Sequence, residues 1–560
     1  MEIILSANRM GIAPSSVNLI MIVIPHRSEF RSVSFPGWRV LEVYEAKLLN
    51  SAGQYTDFDT KGRERSVDNS SDNRTFYLIY SVPFLLVMKG STMNLIRSFR
   101  LLLSIIAVLV LAFPAMARAD SGGSNAGEAF NIEVVGHNDL GGRGFNADVW
   151  VHEGYAYVGQ WGFGDWAAGS KDRFCPQGSN TSALILDARD PANPQVVGRL
   201  QNPPNTSIED IVVYTARHGT FKGHDIAAGG IQYCGDSIYD ANADRGLMLW
   251  DVTNPAAPVQ VGYLRTACCT RGVHEFEVQH RTDLRRTYAY ASVPTSRYPD
   301  ATTPSGYRDK NGDGDFRLFD ITNPTNPVQV SDWGIQDIGG PFYPGQGCDA
   351  DPNYGHGAEP SDDGKLVFVS YWDSGFIALD VTNPAQPVFK GRTVYPANAD
   401  GDAHSASYDD ARKLLFSADE DFCKNSGPGI EKGLGYLRVY DYSNLAAPVQ
   451  IGKYRTPNSI GTNTQAAGDY SLHNALVVGT DIYMSWYSDG IRVVDASNPA
   501  AIQEVAYFVP PSANNPVKPS QRGTLSNAPQ VWGVAYDEAT GLIYASDMNS
   551  GLWILRRTDP

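Results

Sequence analysis

"FRLFDITNPTNPVQVS", residues 316–331, holds the pattern that decides the fold. Its first residues suit a short β-strand, Asp320 can accept nearby backbone N–H groups in an Asx turn, and Asn-Pro fixes the bend. A second proline then opens another strand. Five further copies follow the same plan: "ALILDARDPANPQVVG" from Ala183, "LMLWDVTNPAAPVQVG" from Leu247, "FIALDVTNPAQPVFKG" from Phe376, "LRVYDYSNLAAPVQIG" from Leu437 and "IRVVDASNPAAIQEVA" from Ile491. Their aspartates, Asp187, Asp251, Asp320, Asp380, Asp441 and Asp495, are 64, 69, 60, 61 and 54 residues apart. Internal repetition of this strength outranks any local reading.

Each copy supplies one hairpin, and a second pair of strands precedes it. "ADVWVHEGYAYVGQ" (147–160), "HSASYDDARKLLFSA" (404–418) and "HNALVVGTDIYMSW" (473–486) are examples. No segment sustains helical periodicity. Four strands in a unit of about 60 residues make a β-propeller blade with generous loops. A seventh unit, "VWGVAYDEATGLIYASDMNSGLWILRRTDP", stops where the others have their first turn proline, and "NIEVVGH" (131–137) resembles its missing last strand. The expectation is an all-β, seven-bladed β-propeller over 130–560, with four-stranded antiparallel blades and the last blade closed by the N-terminal strand. Such closure leaves no bare sheet edge, unlike an open solenoid of the same units.

The strand, Asp and Asn-Pro-x-x-Pro-Val signature resembles the LVIVD-repeat family of bacterial exported β-propellers. Leu445, Ile502 and Arg556 depart from it and affect only local turn geometry. The resemblance implies an extracytoplasmic location and no definite activity, because fold alone does not supply function.

Charge and targeting signals agree with export. The first 119 residues hold 13 Lys+Arg against 9 Asp+Glu, which leaves 32 against 52 for the rest. An acidic surface of that kind repels nucleic acid and anionic membrane. Residues 93–119, "MNLIRSFRLLLSIIAVLVLAFPAMARA", have the basic start, short apolar run and small-x-small end of a signal peptide. The apolar run is too short for a span of about 20 residues, so no membrane span is expected in the mature chain. Residues 1–92 are then expected to come from a wrongly chosen upstream start, with 120–129 a linker. The location would be periplasmic, cell-surface or extracellular.

Three groups of residues carry candidate chemistry. Cys175, Cys234, Cys268, Cys269, Cys348 and Cys423 all follow the signal, and an even number in an exported chain favours disulfides. Cys268 or Cys269 is expected to bridge to another loop of the same face. Asp309, Asn311, Asp313 and Asp315, with Gly314, match the spacing of a calcium loop without its flanking helices, so Ca²⁺ is expected there. His274, His356, His404 and His473 begin the inner strands of successive blades, with Glu275, Glu359, Asp400 and Asp402 nearby. Such a ring suits either blade-to-blade hydrogen bonding or a transition metal. Two functions compete: a calcium-stabilised binding or scaffold module for a protein or small ligand on the loop-rich face, and a metal-dependent enzyme at the channel mouth.

Overall fold

The aspartate of every repeat closes the same turn. Its Oδ1 accepts from the backbone N–H two residues on, at 3.2 Å for Asp187, 3.0 Å for Asp251, 2.9 Å for Asp320 and Asp380, and 2.8 Å for Asp441 and Asp495. The following asparagine repeats the device at Asn254, Asn323, Asn383, Asn444 and Asn498. These turns hold the third and fourth strands of each unit in register.

A computed structural model describes residues 127–164, 173–176, 182–295, 308–338, 353–396, 398–399, 401–422, 434–460, 468–515, 517 and 527–559. Residues 1–118 form a separate unit in which only short backbone pairings are described, such as Ser32–Phe35 with Trp38–Leu41. The expected signal segment, together with Cys348, Cys423 and Asp400, lies outside the described residues.

From residue 146 onward the strands form four-stranded antiparallel meanders. They span 146–200, 206–265, 276–333, 358–392, 403–454 and 474–509, the first two joined into one sheet by the pairing of Gln160 with Ile208. Val531–Asp537, Leu542–Asp547 and Gly551–Arg557 form three strands of a further sheet, and Ile132–Asn138 supplies its fourth. Just before it, Glu128–Phe130 adds a fifth strand to the sheet of 474–509. The chain therefore covers two sheet edges with one N-terminal segment. The first strand of each meander packs against the first strand of the next, and Val531–Asp537 packs against Asn146–His152. The result is a propeller-like, nearly all-β architecture. In the second meander the first strand is Thr206–Thr215, so His224 lies at the start of the second strand, paired with Asp251 at 2.7 Å.

Apolar side chains fill the space between neighbouring sheets. Tyr290, Phe316 and Leu318 pack with Val367, Val369, Ile377 and Leu379, all of them essentially fully buried. Each such side chain contributes about 1.5–3 kcal/mol on burial. Spacing at the rim is set by glycine. A Cβ on Gly136, Gly198 or Gly262 would lie 1.9 Å from the carbonyl oxygen of Pro191, Pro255 or Pro324 in the next unit's turn, and one on Gly391 or Gly452 would lie 2.0 Å from that of Leu445 or Pro499. Only a residue without a side chain lets the backbones approach so closely. Gly262→Ala should therefore push two units apart and cost about 1–3 kcal/mol, as overpacking does. Urea unfolding that gives the same midpoint as the parent would show the contact to be slack.

Candidate functional site

Hydrogen bonding of the inner strands puts four histidines at one height. The backbone N–H groups of His274, His356 and His473 donate to the carbonyls of Ser292, Ser370 and Ser485, each near the end of its second strand. His404 sits at the matching place in Ala403–Asp409. Their rings follow one another around the channel mouth, with centroids 4.1 Å apart from His274 to His356, 3.9 Å to His404 and 4.3 Å to His473. Trp532 continues the row 4.2 Å beyond His473. All four imidazoles are at least 95% buried.

Carboxylates interleave with them. Glu209 Oε2 lies 2.8 Å from His274 Nδ1, and His274 Nε2 lies 2.7 Å from His356 Nε2. His356 Nδ1 faces Glu275 from the other side of its ring. Glu275 Oε2 is 3.6 Å from that nitrogen, and its Oε1 is 3.6 Å from His404 Nε2. Glu420 Oε2 approaches the same His404 nitrogen at 3.5 Å. Tyr487 Oη donates to the other oxygen of Glu420.

Burial decides the charge states. It holds the His404 pKa well below the usual imidazole range, aided by His473 and His274. It also takes His473 down to about 3, against the pull of Glu209. Burial and the surrounding acids push Glu275 well up. Burial would raise Glu209 too, but His274 and Arg271 outweigh it and hold its pKa down. Among the described residues no well-formed hydrogen bond occupies either ring nitrogen of His473 or Nδ1 of His404, although the Trp532 and His473 backbones approach these rings. Two neutral imidazoles thus keep lone pairs uncommitted in a nearly dry site. Glu275, His356 and His404 place one donor atom each within 4.8 Å of one another, and so do His404, Glu420 and His473. Both are sets of two histidines and one carboxylate, a composition that suits catalytic zinc and non-haem iron.

Aromatic rings wall the site. Trp372 lies 5.4 Å from His356 and stacks on Tyr354 at 4.9 Å, while Tyr487 lies 5.4 Å from His473. Trp372 and Tyr487 occupy the same place in two turns, "YWDSG" (371–375) and "WYSDG" (486–490), and both take a left-handed backbone, φ 41° and 33°. For bulky residues that conformation costs about 1–3 kcal/mol and clusters at functional sites. Sequence reasoning missed Glu209, Glu420 and Tyr487. The repeated aromatic turn was the available signal for Tyr487. Of the acids it did name, Glu275 joins the histidines, whereas Glu359 lies on the channel wall.

Below the histidines the channel holds a cavity of about 210 Å³, lined in part by Glu275, Asp148, Asp210, Glu277 and Glu359. Asp210 accepts from the N–H of Phe276 at 2.7 Å and Glu359 from that of Tyr408 at 3.2 Å. Burial raises all four of the latter acids, Asp148 to about 7 and Glu277 to about 8.

The loop at 309–315 has a cation of its own. Arg317 Nη2 donates to Asp309 Oδ2 at 3.0 Å, and its Nη1 to Asp313 Oδ2 at 3.2 Å, with Arg317 and Asp309 fully buried. Asp309 Oδ1 accepts from the N–H groups of Asn311 and Asp313. Asp315 turns away to Thr295, accepting from its N–H at 2.6 Å and its hydroxyl at 2.8 Å. Arg438 with Asp419 and Arg492 with Asp489 repeat the arrangement from the same place in their third strands. A Ca²⁺ ion at Asp309, Asn311 and Asp313 would have to displace this guanidinium. Cys175 pairs with Cys234. Cys268 and Cys269 pair with each other in place of the expected bridge to another loop.

Comparison with known proteins identifies the repeat. The family model "LVIVD repeat" matches residues 143–164, 227–266 and 363–394, and such repeats are associated with β-propeller folds. No curated protein matches the chain. Among solved structures it is similar to the computationally designed Ika8 protein, with 6% identity and a TM-score of 0.39 over 77% of this chain and 99% of that one. It is also similar to Raptor of Chaetomium thermophilum, with 10% identity and a TM-score of 0.43 over 76% of this chain and 29% of that one.

Two outcomes follow from the charges. Asp148 is raised from 3.8 to about 7, so the native state holds a proton that the unfolded chain releases. Its contribution is present at low pH and lost as pH rises through that window. Asp148→Asn should flatten the decline, read from unfolding free energies between pH 4 and 8, and an unchanged slope would refute the shift. Separately, Arg317→Met strands a buried Asp309 and should cost about 3–5 kcal/mol. Added Ca²⁺ should leave the Tm of the chelator-stripped parent unchanged, whereas a Ca²⁺-dependent rise that Asp313→Ala abolishes would support calcium at this loop.

Proposed function

We propose that this chain is an exported seven-bladed β-propeller whose channel mouth carries a transition-metal centre and acts as a metal-dependent enzyme. His473 carries the reading: an imidazole 99% buried, with neither nitrogen in a well-formed hydrogen bond among the described residues, beside His404 and Glu420. A buried polar group without a partner costs about 1–3 kcal/mol, and a metal ion removes that cost. Thiolates are absent from both donor sets, whereas structural zinc sites favour them. The bound ion would supply Lewis acidity and lower the pKa of water on it.

The chain's own residues prepare the site. Glu209 and His274 orient His356 from behind, the outer partnership that tunes many metal histidines. Tyr487 steadies Glu420, and Trp372, Tyr354 and Trp532 exclude water. Glu275 faces both the histidines and the channel cavity, which gives small reactants a route.

Export is supported by the signal-like segment 93–119 and the Cys175–Cys234 pair. Seven blades are supported by the repeat count and by first strands that return upon themselves. The coarser description, a propeller-like binding module, fits the repeats and sheets on its own. Metal analysis separates the two: stoichiometric zinc, iron, manganese or copper in the purified chain, lost in His404→Ala, supports the enzyme. Absence of bound transition metal after supplementation during expression would leave only the module.

A further inference from the structure

We propose that Arg271 anchors a carboxylate of the substrate beside the metal centre, and that the substrate's flat apolar body lies on Trp161. The proposal rests on the metal-centre reading above and adds the substrate class.

Arg271 stands three residues before His274, in the segment that leads into that inner strand. Its carbonyl accepts from the N–H of Tyr233 at 2.7 Å, which fixes the backbone there. The residue is only 7% exposed, and its Nη2 donates to the Gly162 carbonyl at 3.1 Å. That is its one well-formed hydrogen bond among the described residues, and its Nε is buried without one. Other buried guanidiniums spend their donors. Arg245 makes three bonds to backbone carbonyls, and Arg317 and Arg492 each reach two carboxylates. Among the described residues no other arginine has a buried nitrogen without a hydrogen bond. Glu209 lies near enough to feel the charge of Arg271, but its Oε2 is taken by His274 Nδ1 and the Gln232 amide.

Trp161 is a second such donor. The guanidinium carbon of Arg271 lies 5.7 Å from its ring centroid, and its Nε1 is also buried without a well-formed hydrogen bond. Part of the indole remains exposed. A guanidinium and an indole N–H only donate. Two of them side by side call for an acceptor, and the positive charge favours an anion. The loop is held so as to keep them together. Gly162 lies against the Cys175–Cys234 pair, where a Cβ would stand 3.1 Å from Cys234 Sγ, and Phe163–Gly164 pairs with Arg173–Phe174.

Charge and shape narrow the anion to a carboxylate. One guanidinium balances one negative charge, whereas a phosphate monoester carries about 1.5–2 at pH 7. Glu209, Glu275 and Glu420 nearby oppose any excess. A carboxylate also matches the planar fork of donors. The chain carries a net charge of −16, so no general field draws anions and the attraction must be local. Aromatic rings lead from this anchor to the metal donors. Trp161 lies 5.1 Å from Trp532, and Trp532 lies 4.2 Å from His473. A flat body laid along that row, with its carboxylate on Arg271, presents its far end to the histidines.

Calorimetric titration with benzoate, and with benzamide as its neutral isostere, tests this on the metal-loaded and the chelator-stripped chain. Benzoate is expected to bind both forms, about 10–100-fold more tightly than benzamide, as a charge-assisted pair does. Arg271→Gln should lose that factor and the preference with it, at unchanged metal content and far-UV circular dichroism. Equal affinity for the two probes in the unaltered chain, or no benzoate binding, overturns the carboxylate site and needs no variant. Benzoate binding that Arg271→Gln leaves unchanged, or that requires the metal and so places the carboxylate on the ion, overturns it as well. All of these leave the metal centre standing. A purified chain that takes up no transition metal overturns the centre itself.

Discussion

The approach of each outer-strand glycine to the next unit's turn carbonyl is the constraint on which the rest depends. Gly136, Gly198, Gly262, Gly391 and Gly452 set how closely neighbouring sheets can lie at the rim. Because Gly136 belongs to the N-terminal strand and meets Pro191, the same contact joins the last sheet to the first. Rim spacing fixes the angle between sheets, and that angle fixes how near the inner strands come at the axis. Histidine rings about 4 Å apart from one unit to the next accompany it, with the Ser331 hydroxyl donating to the Pro384 carbonyl where the third unit has no glycine. A site built this way is positioned by sheets, which hold side chains more firmly than loops do.

Charge is distributed along the axis as deliberately as shape. Burial strips the proton from His404 and His473 and leaves acids beneath them, with Glu275 between the two layers. Neutral imidazoles above and carboxylates below form a gradient of donor hardness, softer nitrogen at the mouth and oxygen in the channel. The four imidazoles come from four units, and the acids beside them from a neighbouring unit (Glu209), a histidine's own strand start (Glu275) and just past the end of a second strand (Glu420). Anything that binds them all ties units together by mass action, so the site and the ring support one another.

Much of this was legible in the sequence, and the reasons for the rest are local. The Asp and Asn-Pro turns were readable because each residue acts on its own neighbours within a few positions. The histidines were readable because they begin strands at a repeating place. Glu209 was not, since the second unit departs from the pattern and its inner strand, Thr206–Thr215, competes with "GHDIAAGG" for that role. Glu420 was missed because it reaches the axis from just past a second strand, with no repeated motif to mark it, whereas Tyr487 had a signal in the turn shared by 371–375 and 486–490.

Arg317 teaches a different lesson. The stretch "DKNGDGDFR" matched a calcium loop at every acidic position, yet two residues past its last aspartate stands an arginine. In a strand that alternates sides, the second residue of "FRLFD" should face away from Phe316 and Leu318, into the layer where the loop folds back. "LRVYD" and "IRVVD" place Arg438 and Arg492 there as well, beside Asp419 at the end of a second strand and Asp489 in a turn. Three of the six repeats thus bring a cation to that place, fixed by the backbone, where Leu184, Met248 and Ile377 stand in the others. A freely exchanging ion must compete with a guanidinium already desolvated and already bonded to Asp309 and Asp313. Motif matching counted the acids of the loop, whereas the fold pairs them with a base from the next strand.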